Sequence, residues 1–245
     1  MGNETDKKNG GAGITTAGLA KFIDHTLLKP EADTAGIDKL CAEAKQYGFY
    51  SVCINSAYVA RCAKTLAGSE VKVCVVVGFP LGAMGAEAKA FEAEYAVKNG
   101  ADEIDMVMNI GAMKSGDLSL VEGDIAQVRK ACAGNCVASS GKKALLKVII
   151  ETCLLTEAEI VSACTIALKA GADFVKTSTG FSTHGATVEH VALMRKTVGA
   201  AAGVKAAGGV RTYEDALAMI KAGATRLGTS GGIKIISGQT IDSGY

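Results

Sequence analysis

The segment Asn99-Gly-Ala-Asp-Glu-Ile-Asp-Met-Val107 runs from a helix-like stretch into a strand-like one, and its opening recurs twice, as Ala170-Gly-Ala-Asp173 before Phe-Val-Lys176 and as Ala222-Gly-Ala-Thr225 before Arg-Leu-Gly228. In each copy glycine provides a left-handed end to the helix, and β-branched or apolar residues follow at once. A repeated connection implies a repeated unit of helix and strand.

Working outward, strand-like runs fall near 21–26, 50–54, 71–77, 103–108, 145–151, 173–177, 203–207 and 225–228. Segments with helical spacing lie between them, near 34–47, 56–67, 84–99, 117–133, 156–170, 186–198 and 212–222. Val71 to Val77 and Leu145 to Ile150 are continuous apolar runs rather than alternating ones, as strands covered on both faces require. Eight βα units in about 225 residues fit one closed (β/α)8 barrel better than a doubly wound sheet. The expected organisation is a flexible arm at 1–13, the barrel at 14–236 and a mobile tail at 237–245.

Composition narrows the function. The chain has 26 basic and 25 acidic residues in 245, so no broad field would draw nucleic acid or an anionic membrane, and any anion site must be local. No apolar run reaches the ~18 residues of a membrane span, and the start, MGNETDKKNGG, has no signal-like apolar core. A cytoplasmic location is the expectation. The eight cysteines lack paired metal-site spacing and read as reduced core residues.

Catalytic groups of such a barrel sit at the C-terminal ends of its strands. Ionisable residues interrupt the strands here repeatedly: Asp24 on the first, Asp105 on the fourth, Lys147 and Glu151 on the fifth, Lys176 on the sixth and Lys205 on the seventh. Lys176 and Lys205 belong to adjacent strands. Burial and a facing cation would both favour the neutral amine of Lys176, the form that attacks a carbonyl. Asp105 can orient a lysine or relay protons through water. Glycines follow the last three strands, at Thr179-Gly180, Gly208-Gly209 and Gly228-Thr-Ser230, where backbone N–H groups bind phosphate in this architecture. These residues alone reach a phosphosugar enzyme working through a Schiff base. A transaldolase-like or isomerase chemistry, or a barrel that only binds phosphosugars, stays open.

With those residues in place the chain resembles the deoxyribose-phosphate aldolases, class I aldolases, from about Leu19 to Tyr245. The motifs are Ile23-Asp-His-Thr-Leu-Leu-Lys-Pro30, Val52-Cys-Ile-Asn55, Gly78-Phe-Pro-Leu-Gly82, Glu103-Ile-Asp105, Leu146-Lys-Val-Ile-Ile-Glu-Thr152, Phe174-Val-Lys-Thr-Ser-Thr-Gly180 and Lys205-Ala-Ala-Gly-Gly-Val-Arg211. The resemblance implies Lys176 as Schiff-base lysine, Lys205 as its partner amine, Asp105 as proton relay with Asp24 beside it, and a phosphate site of Gly180, Gly208, Gly209, Gly228 and Ser230. It also implies that Tyr245 serves proton transfer from the C-terminal tail. No metal or organic cofactor is implied, and His25, His184 and His190 are not spaced as a metal site. The expected partner is a small phosphorylated sugar, with neither nucleic acid nor membrane, and the expected assembly is a homodimer.

Overall fold

The computed structural model describes residues 14–133 and 143–240. Its strands are β1 (Ile23–Leu27), β2 (Ser51–Ile54), β3 (Lys72–Val77), β4 (Glu103–Val107), β5 (Leu145–Ile149), β6 (Phe174–Lys176), β7 (Gly203–Ala207) and β8 (Arg226–Thr229). They close in chain order into one all-parallel barrel, with β8 paired to β1. The helices are α1 (Thr16–Ala20), α2 (Thr34–Tyr47), α3 (Val59–Thr65), α4 (Ala86–Lys98), α5 (Ile110–Lys114), α6 (Leu118–Ala133), α7 (Glu157–Lys169), α8 (Val188–Val198), α9 (Tyr213–Lys221) and α10 (Gly232–Ile236).

The repeated connection has one geometry in all three copies. Gly100, Gly171 and Gly223 take positive φ, and the alanine after each donates back into the last helical turn, Ala101 to Ala96, Ala172 to Ala167 and Ala224 to Met219. The fourth residue then enters the sheet, Asp102 N–H to Val73 O, Asp173 to Leu146 O and Thr225 to Val204 O. Its side chain accepts the N–H of that same preceding strand residue, at 3.0, 2.7 and 3.2 Å. A side-chain oxygen is therefore needed at that position, which is why it reads Asp, Asp and Thr.

Strand alternation sorts the core. Ile23, Val52, Val73, Val75, Ile104, Met106, Leu146, Val148, Val175, Val204 and Leu227 belong to the apolar layer shared with the helices. A smaller apolar cluster, Leu28, Cys53, Cys74 and Val76 with Phe79 against it, stands apart from that layer. Seven further strand residues are charged and buried: Asp24, Glu103, Asp105, Lys147, Lys176, Lys205 and Arg226. The seven cysteines among the described residues are unbridged.

Several expectations needed correction. The strand expected over 145–151 stops at Ile149, and Glu151 lies beyond it with φ of 56°, which breaks the ladder. The helix expected at 56–67 is a 3-10 turn, Ser56–Tyr58, followed by α3. Two short helices, α1 and α5, escaped the sequence reading because neither is long enough to show a period. After α10, Ser237, Gly238 and Gln239 donate to carbonyls of that helix. The arm at 1–13 and the tail beyond 240 lie outside the described residues.

Outside the barrel, Lys89 of α4 is completely buried against α6. Its ammonium donates to Asp124 at 2.6 Å and to the carbonyl of Val107 at 2.9 Å, and Asp124 also accepts the Asn109 N–H at 3.2 Å. The pair ties two helices to the end of β4. Lys89→Ala leaves a buried carboxylate unpaired and should lower unfolding free energy by about 3–5 kcal/mol in urea titrations. A loss below about 1 kcal/mol would show that the clip contributes little.

Candidate active site

Six of the eight strands send charged side chains into one buried network. Asp105 of β4 is fully buried, and three ammonium groups surround it: Lys147 at 2.8 Å from Oδ1, and Lys176 and Lys205 each at 2.8 Å from Oδ2. Lys147 also meets Glu103 at 2.5 Å, and Lys205 meets Asp24 at 2.5 Å. Arg226 closes the lower end, bridging Asp24 at 2.8 Å and Glu103 at 2.9 Å, with its guanidinium 3.4 Å from the centre of the Tyr50 ring. Cys74 donates to Asp105 at 3.1 Å and accepts from Lys147 at 3.3 Å.

The electrostatics follow from these contacts. Burial alone would raise the Asp105 carboxyl, but Lys147, Lys176 and Lys205 outweigh it and hold Asp105 well below the usual carboxylate range. Asp24 is lowered in the same way, burial being overcome by Arg226 and Lys205. Burial works against the ammonium form of Lys205, yet Asp105 and Asp24 hold it well above the ordinary amine range. Lys147 is raised likewise against burial, by Asp105, Cys74 and Glu103.

The picture of two cations facing each other is therefore corrected. Lys176 and Lys205 are register partners on β6 and β7, but one oxygen of Asp105 lies between their amines, because a bare pair of buried charges would be too costly. Lys176 differs from its neighbours. It ends its strand and has one carboxylate contact where Lys147 and Lys205 have two. Glu151 holds no lysine; it accepts from the backbone and hydroxyl of Thr179, and burial raises its carboxyl.

Beside the rim of the barrel, loops after β6 and β7 enclose a cavity of about 480 Å³. It is lined by Gly180, His184, Gly185, Gly208, Gly209 and Arg211 among others. The two loops touch backbone to backbone: a side chain at Gly185 would strike the Gly208 carbonyl, and Gly208 itself has φ of 68°. Gly180, Gly208 and Gly209 thus come together as expected. Gly228 does not line this cavity, being a strand residue of β8 opposite Asp24 and Ala207, and Ser230 lines a neighbouring cavity with His25 and Glu43.

Sequence reasoning left Arg211, Arg226 and Glu103 out of the site. Arg211 follows a Gly-Gly pair by two residues and places a cation in the lining of that cavity, which was a readable signal. Arg226 and Glu103 gave none, since Arg226 meets Asp24 and Glu103 across 202 and 123 residues. Tyr245 lies outside the described residues. Donor atoms of Cys53, Cys74 and Asp105 approach within 4.8 Å of one another, as do those of Asp24, Cys74 and Glu103. Ammonium groups and a guanidinium already occupy these carboxylates, so an added cation would meet like charge.

The depressed carboxylates contribute stability that is fully present above their unfolded pKa of ~3.9 and is lost as pH falls through the folded values. Lys147 and Lys205, raised in the fold, contribute below ~10.4 and lose that contribution only as pH rises through their folded values. Thermal midpoints should therefore hold across neutral pH and fall below about pH 4. Asp105→Asn should flatten that acid limb, and an unaltered limb would place the acid sensitivity elsewhere.

This geometry can be set beside known proteins. A deoxyribose-phosphate aldolase of Streptococcus gordonii is 61% identical over 227 residues, 93% of this chain and 99% of that protein. One from Clostridium perfringens is 62% identical over 93% of this chain and 98% of its own length. The solved structure of a tetrameric deoxyribose phosphate aldolase from Aeropyrum pernix superposes with a TM-score of 0.82 at 32% identity, covering 91% of each chain. The model of the DeoC/LacD family aldolases matches residues 19–239, and with a closed barrel, a buried lysine ending β6 and a glycine-lined cavity on the loops that follow β6 and β7, the chain belongs to that family.

Proposed function

We propose that this chain catalyses the reversible cleavage of 2-deoxy-D-ribose 5-phosphate to acetaldehyde and D-glyceraldehyde 3-phosphate through an imine on Lys176. One observation carries the assignment of the nucleophile. The contact network holds four basic groups, Lys147, Lys176, Lys205 and Arg226, against the three carboxylates Asp24, Glu103 and Asp105. It therefore stays balanced without the Lys176 charge, and Lys176 is also the lysine that ends its strand.

In this reading the Lys176 amine adds to C1 of the open-chain sugar, and loss of water gives the protonated imine. Removal of the C3 hydroxyl proton then breaks the C2–C3 bond, since acetaldehyde carries C1 and C2. The electron pair passes into an enamine, glyceraldehyde 3-phosphate leaves, protonation at C2 restores the imine, and water releases acetaldehyde. Asp105 touches both amines through one oxygen and so offers a path for protons between Lys176 and Lys205, while Asp24 holds Lys205 in place. Gly180, Gly208, Gly209 and Arg211, which line one cavity, hold the phosphate, and Gly228 and Ser230 lie outside it. Tyr245 is the proposed acid at C2. No helix among the described residues is long and apolar enough to cross a membrane. A pair of identical barrels is the proposed assembly, which sedimentation distinguishes from a monomer or a tetramer.

Borohydride with acetaldehyde should add one ethyl group irreversibly at Lys176, read by peptide mass, and Lys176→Ala should abolish both labelling and turnover. Label confined to Lys205 would reverse the roles. Tyr245→Phe should slow deuterium exchange into acetaldehyde by roughly 10²-fold, the usual scale of general acid–base assistance, with little change in stability. Exchange at the wild-type rate would remove Tyr245 from the mechanism.

A further inference from the structure

Glu151 has no part in the chemistry described so far, yet it is placed with unusual care. Among the described residues it alone, apart from glycines, has a positive φ, 56°, a conformation held only where surrounding structure determines it. Its carboxylate is buried, with none of its hydrogen bonds made to a lysine. Backbone bonds fix the residues on either side of it to the neighbouring strand end, Ile150 N–H to Lys176 O at 3.0 Å and Thr152 N–H to Thr177 O at 2.8 Å.

From this fixed point the carboxylate spans to Thr179. It accepts the Thr179 N–H at 3.2 Å and its hydroxyl at 2.5 Å, and that hydroxyl in turn accepts the Phe181 N–H at 3.0 Å. The two bonds bracket Gly180, the glycine that lines the anion cavity and packs against Gly208. On the other side Thr177 is bound to β7, its hydroxyl accepting the Ala207 N–H at 3.1 Å. The four-residue step from Lys176 to Gly180 is thus pinned from β5 and from β7.

We propose that Glu151 is a positioning residue: by holding Thr179 it sets the distance between the imine-forming lysine and the phosphate-binding glycine, and so matches the site to a 5-phosphorylated sugar. The inference rests on the function proposed above. A neutral amide can accept the same two hydrogen bonds as the carboxylate, whereas alanine at 151 or valine at 179 removes them.

The test compares kcat/KM for deoxyribose 5-phosphate and for free deoxyribose in the wild type, Glu151→Gln, Glu151→Ala and Thr179→Val. Glu151→Ala and Thr179→Val should lose about 10²-fold on the phosphorylated substrate, the scale of a misplacement near 1 Å, and little on the free sugar, so the preference collapses. Glu151→Gln should stay near the wild type, and acetaldehyde should still be trapped on Lys176 in every variant. Equal losses on both substrates, no loss in either hydrogen-bond-deleting variant, or a Gln variant as impaired as Ala would each overturn the positioning role. Thr179→Val keeps the test open should Glu151→Ala fail to fold. A wild type that cannot be trapped at all refutes the imine chemistry instead.

Discussion

Asp105 accepts hydrogen bonds from Lys147, Lys176 and Lys205 at the centre of a dry barrel, and this meeting of one carboxylate with three ammonium groups constrains everything around it. Charges taken out of water are tolerable only when paired at contact distance. The lysines come from β5, β6 and β7 and the carboxylates from β1 and β4, so no partial sheet could satisfy them. Arg226 completes the ring by joining β8 to both Asp24 and Glu103, which ties the last strand to the first across the closure.

The apolar layer and the ionic interior divide the work of the fold. Stability comes chiefly from the outer faces of the strands, where Val, Ile and Leu meet the helices. The interior carries the polar groups that chemistry needs. Because the network is crowded, a side chain engaged twice is fixed and one engaged once can be released, which separates Lys176 from Lys147 and Lys205. The glycine-lined cavity lies on the loops after β6 and β7, which approach through glycine backbone. Glu151 joins the two regions, since it leaves β5 in a left-handed turn and grips the chain between Lys176 and Gly180.

Much of this was legible in the chain itself because it is local. The three Gly-Ala-Asp or Gly-Ala-Thr connections mark their helix ends and strand starts within four residues, and continuous apolar strands imply a sheet covered on both faces. Charged residues that interrupt those strands meet in the buried ionic network, and order along the chain sufficed to put Lys176 and Lys205 on adjacent strands. Short elements without a period, such as α1 and α5, could not be read this way.

What the sequence by itself determined, then, was the repeat, the closed barrel it builds and part of the buried ionic set, namely Asp24, Asp105, Lys147, Lys176 and Lys205. Only the tertiary structure decided who pairs with whom. Strand order placed two lysines side by side, but the carboxylate between them arrives from β4, two strands away around the barrel. Arg226 reaches Asp24 from 202 residues off, and the carboxylate of Glu151 takes its hydrogen bonds from Thr179. Periodicity fixes which face a side chain lies on; the partner across a barrel depends on stagger, tilt and side-chain reach, which are properties of the closed sheet and not of any segment in it.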